Sequence, residues 1–86
     1  MEKYRVLITT SAEKILKRLS KTENRRIIAK IESLSIDPFP DGCRKLSGEA
    51  ATFRVRVGVY RIIYEIRSTV LVIVILKIGQ RKDVYR

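Results

Sequence analysis

The stretch Thr52 to Ile66, TFRVRVGVYRIIYEI, spaces three arginines in a way suited to holding a polyanion. Arg54 and Arg56 alternate with Phe53, Val55 and Val57, so a strand sends the guanidiniums to one face and the apolar side chains to the other. If Gly58-Val59 forms a two-residue type II′ turn, with glycine at the first central position, Val57 stands opposite Tyr60 and Arg56 opposite Arg61. One face of that hairpin carries Phe53, Val55, Val57, Tyr60, Ile62 and Tyr64, and the other carries Arg54, Arg56 and Arg61. Like charges directly opposite on a sheet cost from a few tenths to about 1 kcal/mol. Glu65, which this register puts opposite Thr52, is expected to neutralise part of the basic face. A phosphate bridging the guanidiniums offsets the repulsion better, because each presents a planar fork of donors to phosphate oxygens. A merely solvated basic face is the alternative that the geometry leaves open.

A second candidate group lies in the tail Gly79-Gln80-Arg81-Lys82-Asp83-Val84-Tyr85-Arg86. Tyr85 has the ring to stack on a nucleobase, and Arg81 has the reach to return to a phosphate. The plainer alternative is a frayed terminus whose tyrosine covers the edge of the core. The chain has no histidine, and its single cysteine, Cys43, has neither a disulfide partner nor companions for a metal site. No metal and no cofactor are expected.

Nineteen Lys plus Arg against nine Asp plus Glu give a formal charge of +10 on 86 residues. Such a field attracts polyanions, which brings nucleic acid, ribosome, acidic protein and anionic membrane into consideration as partners. The longest apolar run, Val70 to Leu76, is too short to span a bilayer, and the amino terminus lacks the order of a signal peptide. The chain is therefore read as cytoplasmic, without a membrane partner.

The candidate residues need a scaffold, and a chain of this length buries only about three-fifths of its unfolded surface. That supports one core, hence a single domain over residues 1–86. Lys3 to Thr9 alternates as a mostly buried strand. Thr10 and Glu13 have capping-box spacing ahead of Ala12, Ile15, Leu16 and Leu19, predicting a helix from about Ser11 to Leu19. Thr22 is placed to cap a second helix with Ile27, Ile28, Ile31 and Leu34 as its apolar stripe. Asp37-Pro38-Phe39-Pro40-Asp41-Gly42 ends that helix. Beyond it the pattern is strand, with breaks near Gly48 to Ala51, at Gly58-Val59 and at Ser68-Thr69. Val70 to Ile78 reads as an interior strand or one awaiting a partner. The expected fold is α+β: a strand, a two-helix hairpin and an antiparallel β meander, with the helices packed on one face of a four-stranded sheet.

The phrases YRVLIT, KLSG at Lys45 to Gly48, FRVRVGVYRIIYEI and KIGQRKDVYR together resemble the RelE-type toxins of the RelE/ParE superfamily, in the family's order of elements over essentially the whole chain. The resemblance implies the toxin component of a type II toxin–antitoxin system. Such toxins enter the ribosomal A site and cut messenger RNA, with the 2′-hydroxyl of the upstream ribose as nucleophile. Their implied partners are a cognate RelB-like antitoxin, mRNA, and the ribosome with its RNA.

By position, Arg54 and Arg56 lie where the family carries basic residues, often lysines, on the first hairpin strand. Arg61 matches the family's arginine on the next strand, Arg81 the arginine just beyond the glycine that ends the last strand, and Tyr85 the tyrosine closing the motif. In the family these groups bind the scissile phosphate, stabilise its transition-state charge, assist proton transfer and stack the base. The five are therefore the candidate catalytic set. Lys14, Lys17, Arg18, Arg25, Arg26, Lys45 and Lys82 are the further candidates for contact with RNA or ribosome.

Arginine at both hairpin positions departs from the family pattern, because a guanidinium essentially never gives up its proton. Arg54 and Arg56 are thus expected to act electrostatically. With no histidine, the ordinary acid–base pair of a ribonuclease is missing. Catalysis would rest on orienting the 2′-hydroxyl and neutralising the phosphorane. The runner-up reading is a ParE-like inhibitor of DNA gyrase without nuclease activity, and a third is a basic protein that binds only its antitoxin.

Overall fold

The structure is a computed structural model that describes residues 3–46 and 51–80. Its elements follow one another as β1 (Arg5–Ile8), α1 (Thr10–Arg18), α2 (Lys21–Ile36), β2 (Arg44–Lys45), β3 (Thr52–Val57), β4 (Tyr60–Arg67) and β5 (Val72–Gln80). The strands form one sheet in the order β1-β5-β4-β3-β2, with β1 parallel to β5 and the other pairs antiparallel. The α+β class and the meander β3-β4-β5 agree with the sequence reading, but the sheet has five strands, not four. The extra strand arises because Pro40 to Cys43 turns back sharply. The Cys43 amide donates to the Pro40 carbonyl at 3.1 Å, and Gly42 takes φ +88°, as the third position of a type II turn requires. Arg44 and Lys45 then lie along β3, opposite Arg54 and Phe53.

Both helices begin earlier than their patterns suggested. Thr9, not Thr10, caps α1: its hydroxyl accepts from the Ala12 amide at 3.2 Å and donates to the Leu76 carbonyl at 2.9 Å. That second bond selects between the two adjacent threonines, since it ties the cap to β5. The carbonyl it reaches belongs to a bulge, where Ile63 pairs with Lys77 and Tyr64 with Ile75, leaving Leu76 between them. Ser20, not Thr22, caps α2; its oxygen accepts from the Glu23 amide and its hydroxyl donates to the Glu23 carboxylate, both at 3.2 Å. The helix ends where expected, with the Asp37 amide donating to Ser33 ahead of Pro38.

The helices cover one face of the sheet. Ala12 and Leu16 of α1 and Ile27, Ile31 and Leu34 of α2 pack with Val55, Ile62, Tyr64, Ile66, Ile73, Ile75 and Ile78. β5 lies between β1 and β4, which accounts for its almost wholly apolar sequence. The first strand departs from its expected burial: β1 is an edge strand, and Leu7 and Ile8 are 45% and 37% exposed. Tyr64 is fully buried and its hydroxyl donates to the Pro38 carbonyl at 2.8 Å, fastening the segment after α2 to the sheet. Burial, with the Cys43 thiol alongside, holds the Tyr64 phenol well above its ordinary range, so it stays a neutral donor.

Thr9→Ala is expected to destabilise the fold by about 1–2 kcal/mol, because it removes a helix cap and a tie to the bulge together. Thr9→Ser should retain most of that. Urea unfolding checks both: a Thr9→Ala midpoint equal to the parent's, at equal slope, would show that the two bonds contribute nothing.

Candidate nucleic-acid interface

The turn at Gly58-Val59 sets the geometry of the basic face. Gly58 has φ +61° and Val59 stays at negative φ, as in a type II′ turn. The strands pair Thr52 with Glu65, Phe53 with Tyr64, Arg54 with Ile63, Val55 with Ile62, Arg56 with Arg61 and Val57 with Tyr60, the register expected from the turn. Directly paired residues share a sheet face, so the pairings also order the face turned away from the helices. One row across it runs Arg56, Arg61 and Gly79; the next runs Arg44, Arg54, Ile63 and Lys77.

Arg61 is only 6% exposed, whereas Arg56 is exposed and Arg54 half-buried. A charged side chain that is buried beside another arginine is held in place by its surroundings, and Gly79 on the far side presents no side chain to compete for the space. Arg56, Gly58, Val59, Tyr60 and Arg61 surround a recess of about 130 Å³. Glu65 does not neutralise this group as the sequence suggested. It accepts from Arg67 Nε at 2.7 Å, a neighbour on its own strand, and so leaves the Arg56–Arg61 row without its help.

Of the candidates read from the sequence, the structure brings Arg54, Arg56 and Arg61 together. Arg81, Lys82 and Tyr85 lie outside the described residues. Lys45 faces the same side as Phe53, so it is Arg44 that joins Arg54 on the arginine face. Lys14, Lys17, Arg18 and Arg25 are exposed on the helix layer, across the sheet from the arginines; Lys17 also lies 3.7 Å from Glu13. Arg26 is different, since it sits with Val57, Gly58 and Tyr60 beside the hairpin turn. Sequence reasoning missed Arg44, Lys77 and Lys30. Lys30 was findable, because it follows Arg26 by four positions and so shares its helix face.

One tyrosine near the site, Tyr64, is ruled out as its proton carrier by its placement: it is fully buried and its hydroxyl is committed to Pro38. Tyr60, half-buried, lines the recess with Arg56 and Arg61. Among the described residues no group of three or more His, Cys, Asp or Glu is arranged to hold a metal, and no helix is long and apolar enough to cross a membrane.

Residues 6–85 match the family model described as the ParE toxin of type II toxin-antitoxin system, parDE. Toxin RelG of Mycobacterium tuberculosis (strain ATCC 25618 / H37Rv) is 34% identical over 88 residues, spanning 96% of this chain and 97% of RelG. Among solved structures, the archaeal RelE–RelB complex from Pyrococcus horikoshii OT3 contains a chain that superposes with a TM-score of 0.84 at 34% identity, covering 94% of this chain and 98% of that one. The toxin–antitoxin complex RelBE2 of Mycobacterium tuberculosis gives 0.81 at 32% identity, with 96% and 97% covered.

Proposed function

The chain belongs to the RelE/ParE superfamily of toxins from type II toxin–antitoxin systems, and from that premise we propose that it is a ribosome-dependent endoribonuclease that cuts messenger RNA. The observation that carries the reading is the Arg56–Arg61 pair, one arginine exposed to meet a ligand and the other buried and held. Two guanidiniums side by side favour a ligand with several anionic oxygens on one centre, and a phosphodiester has that form.

In this mechanism Arg56 and Arg61 grip the nonbridging oxygens of the scissile phosphate, with Arg54 adding positive potential and Arg81, by the family resemblance, supplying a further cation. The upstream 2′-oxygen attacks phosphorus in line as its proton departs. The downstream 5′-oxygen leaves and takes up a proton, so the products are a 2′,3′-cyclic phosphate and a 5′-hydroxyl. Charge on the phosphorane rises in the transition state, and preorganised guanidiniums stabilise it more than they stabilise the diester. The arginines transfer no protons. Proton transfer falls to Tyr85, which also stacks a base, or to a ribosomal group.

A ParE-like gyrase poison is the second reading, and the description of the matching family model favours it. Inducing the chain in cells while mapping messenger 5′ ends together with gyrase-linked DNA breaks decides between them. In vitro, cleavage is expected to require programmed ribosomes, because the chain brings no acid–base pair of its own. Efficient, sequence-independent cutting of naked RNA by the pure protein would contradict that. The similar chains in complexes named for RelE with RelB support a RelB-like antitoxin as partner here. An acidic and apolar segment that covers the arginine face would silence the toxin.

A further inference from the structure

A second, wider basic cleft lies beside the arginine pair, at the edge of β3 next to Arg44 of β2. β2 pairs only with Phe53 and Arg54, so among the described residues Val55 to Val57 of β3 have no partner strand on the side toward α2. Lys30, Asp41, Gly42, Arg44, Arg54, Val55 and Arg56 enclose about 470 Å³ there. Volumes of about 300–1,000 Å³ suit small organic ligands, and a nucleotide is of that class. Arg56 lines both this cleft and the recess around Arg61. A chain of phosphates held at the first position therefore continues into the second without leaving the protein surface.

The cleft contains four cations and one carboxylate, so its field favours an anion while Asp41 offers a single strong acceptor. Asp41 is set by the type II turn from Pro40 to Cys43, in which it holds the second position ahead of Gly42. No ion pair between described residues joins it to the cations around it. A carboxylate pairs best with two parallel donors, and among the RNA bases guanine alone presents two adjacent donors, N1–H and N2–H, on its Watson–Crick edge. Unpaired bases of single-stranded RNA are read on that edge.

We propose that this cleft is a nucleotide subsite next to the scissile phosphate, in which Lys30 and Arg44 hold the neighbouring phosphate and Asp41 selects guanine. The assignment rests on the nuclease reading for its place in the reaction, but its test requires no cleavage. Hexanucleotides carrying 2′-O-methyl groups at every ribose, one of alternating uridine and guanosine and one of uridine alone, are titrated against the full chain and its variants by fluorescence anisotropy at several salt concentrations.

The parent is expected to bind the guanosine-containing hexamer about tenfold more tightly, and Asp41→Asn to abolish that difference. Lys30→Ala and Lys30→Gln should weaken both hexamers alike and lower the salt slope by about 0.7, the share of one phosphate contact on a single strand. If Asp41→Asn tightened both hexamers by the same factor, the carboxylate would merely repel phosphate and the selection would be overturned. An unchanged slope in both Lys30 variants would overturn the subsite. A chain that binds the hexamers as described yet cuts no messenger keeps the subsite and loses the nuclease; one that cuts messenger with Lys30 and Asp41 replaced at no effect does the reverse.

Discussion

Arg61→Ala is expected to lower the single-turnover rate of messenger cleavage on programmed ribosomes by about one to three orders of magnitude, the cost of removing one preorganised donor from a developing oxyanion. Affinity for the ribosome should barely change. Arg61 is 6% exposed and stands between Arg56 and Gly79 in the sheet. A guanidinium in that position is aimed before substrate arrives, so its effect falls on the transition state and not on encounter. Lys17 and Arg26 provide the contrast, because both are exposed helix cations. Replacing either should weaken ribosome binding and flatten its salt dependence while leaving the bound-state rate nearly intact, since such contacts act through released counterions. An Arg61→Ala protein that cuts at the parental rate would remove the proposed site altogether.

The hairpin was legible because its determinants are local. A glycine at one turn position, alternation on both sides, and three aromatic residues on the core face leave one register that buries the apolar set, and that register is the observed one. The fifth strand was not legible for the opposite reason. Arg44 and Lys45 are two residues without alternation to detect, and their pairing depends on a turn at Gly42 and on β3, which follows later in the chain. The same shortness hid which of the two basic residues joins the arginine face. Capping spacing was ambiguous at both helices, where Thr9 competes with Thr10 and Ser20 with Thr22. A tertiary bond to Leu76 settles the first, and a reciprocal Ser20–Glu23 pair settles the second. Glu65 was assigned to the arginines by cross-strand logic, but a partner two positions along its own strand, Arg67, is nearer. Lys30 escaped although its spacing of four from Arg26 placed the two on one helix face.

The remaining large effect belongs to Tyr85, the tyrosine that closes the family motif. Tyr85→Ala is expected to cost about 1–3 kcal/mol in the cleavage step if the ring stacks on a base, which corresponds to about a fivefold to 150-fold loss of rate. Tyr85→Phe separates the two roles assigned to this residue, because it keeps the stacking surface and removes the hydroxyl. The distinction matters here more than in a histidine-bearing nuclease. The chain has no histidine, its arginines hold their protons, and the Tyr64 hydroxyl is committed to Pro38. The protein-borne proton path to test first therefore runs through Tyr85. If it runs through Tyr85, the Phe variant should fall to about the level of the Ala variant. If the ring only stacks, the Phe variant should retain the parental rate, and the rate of either protein should climb with pH through neutrality without a plateau near the histidine range of about 6.5. A full-rate Phe variant would thus take the proton chemistry away from Tyr85 and toward the ribosome, in keeping with the ribosome dependence proposed for this chain.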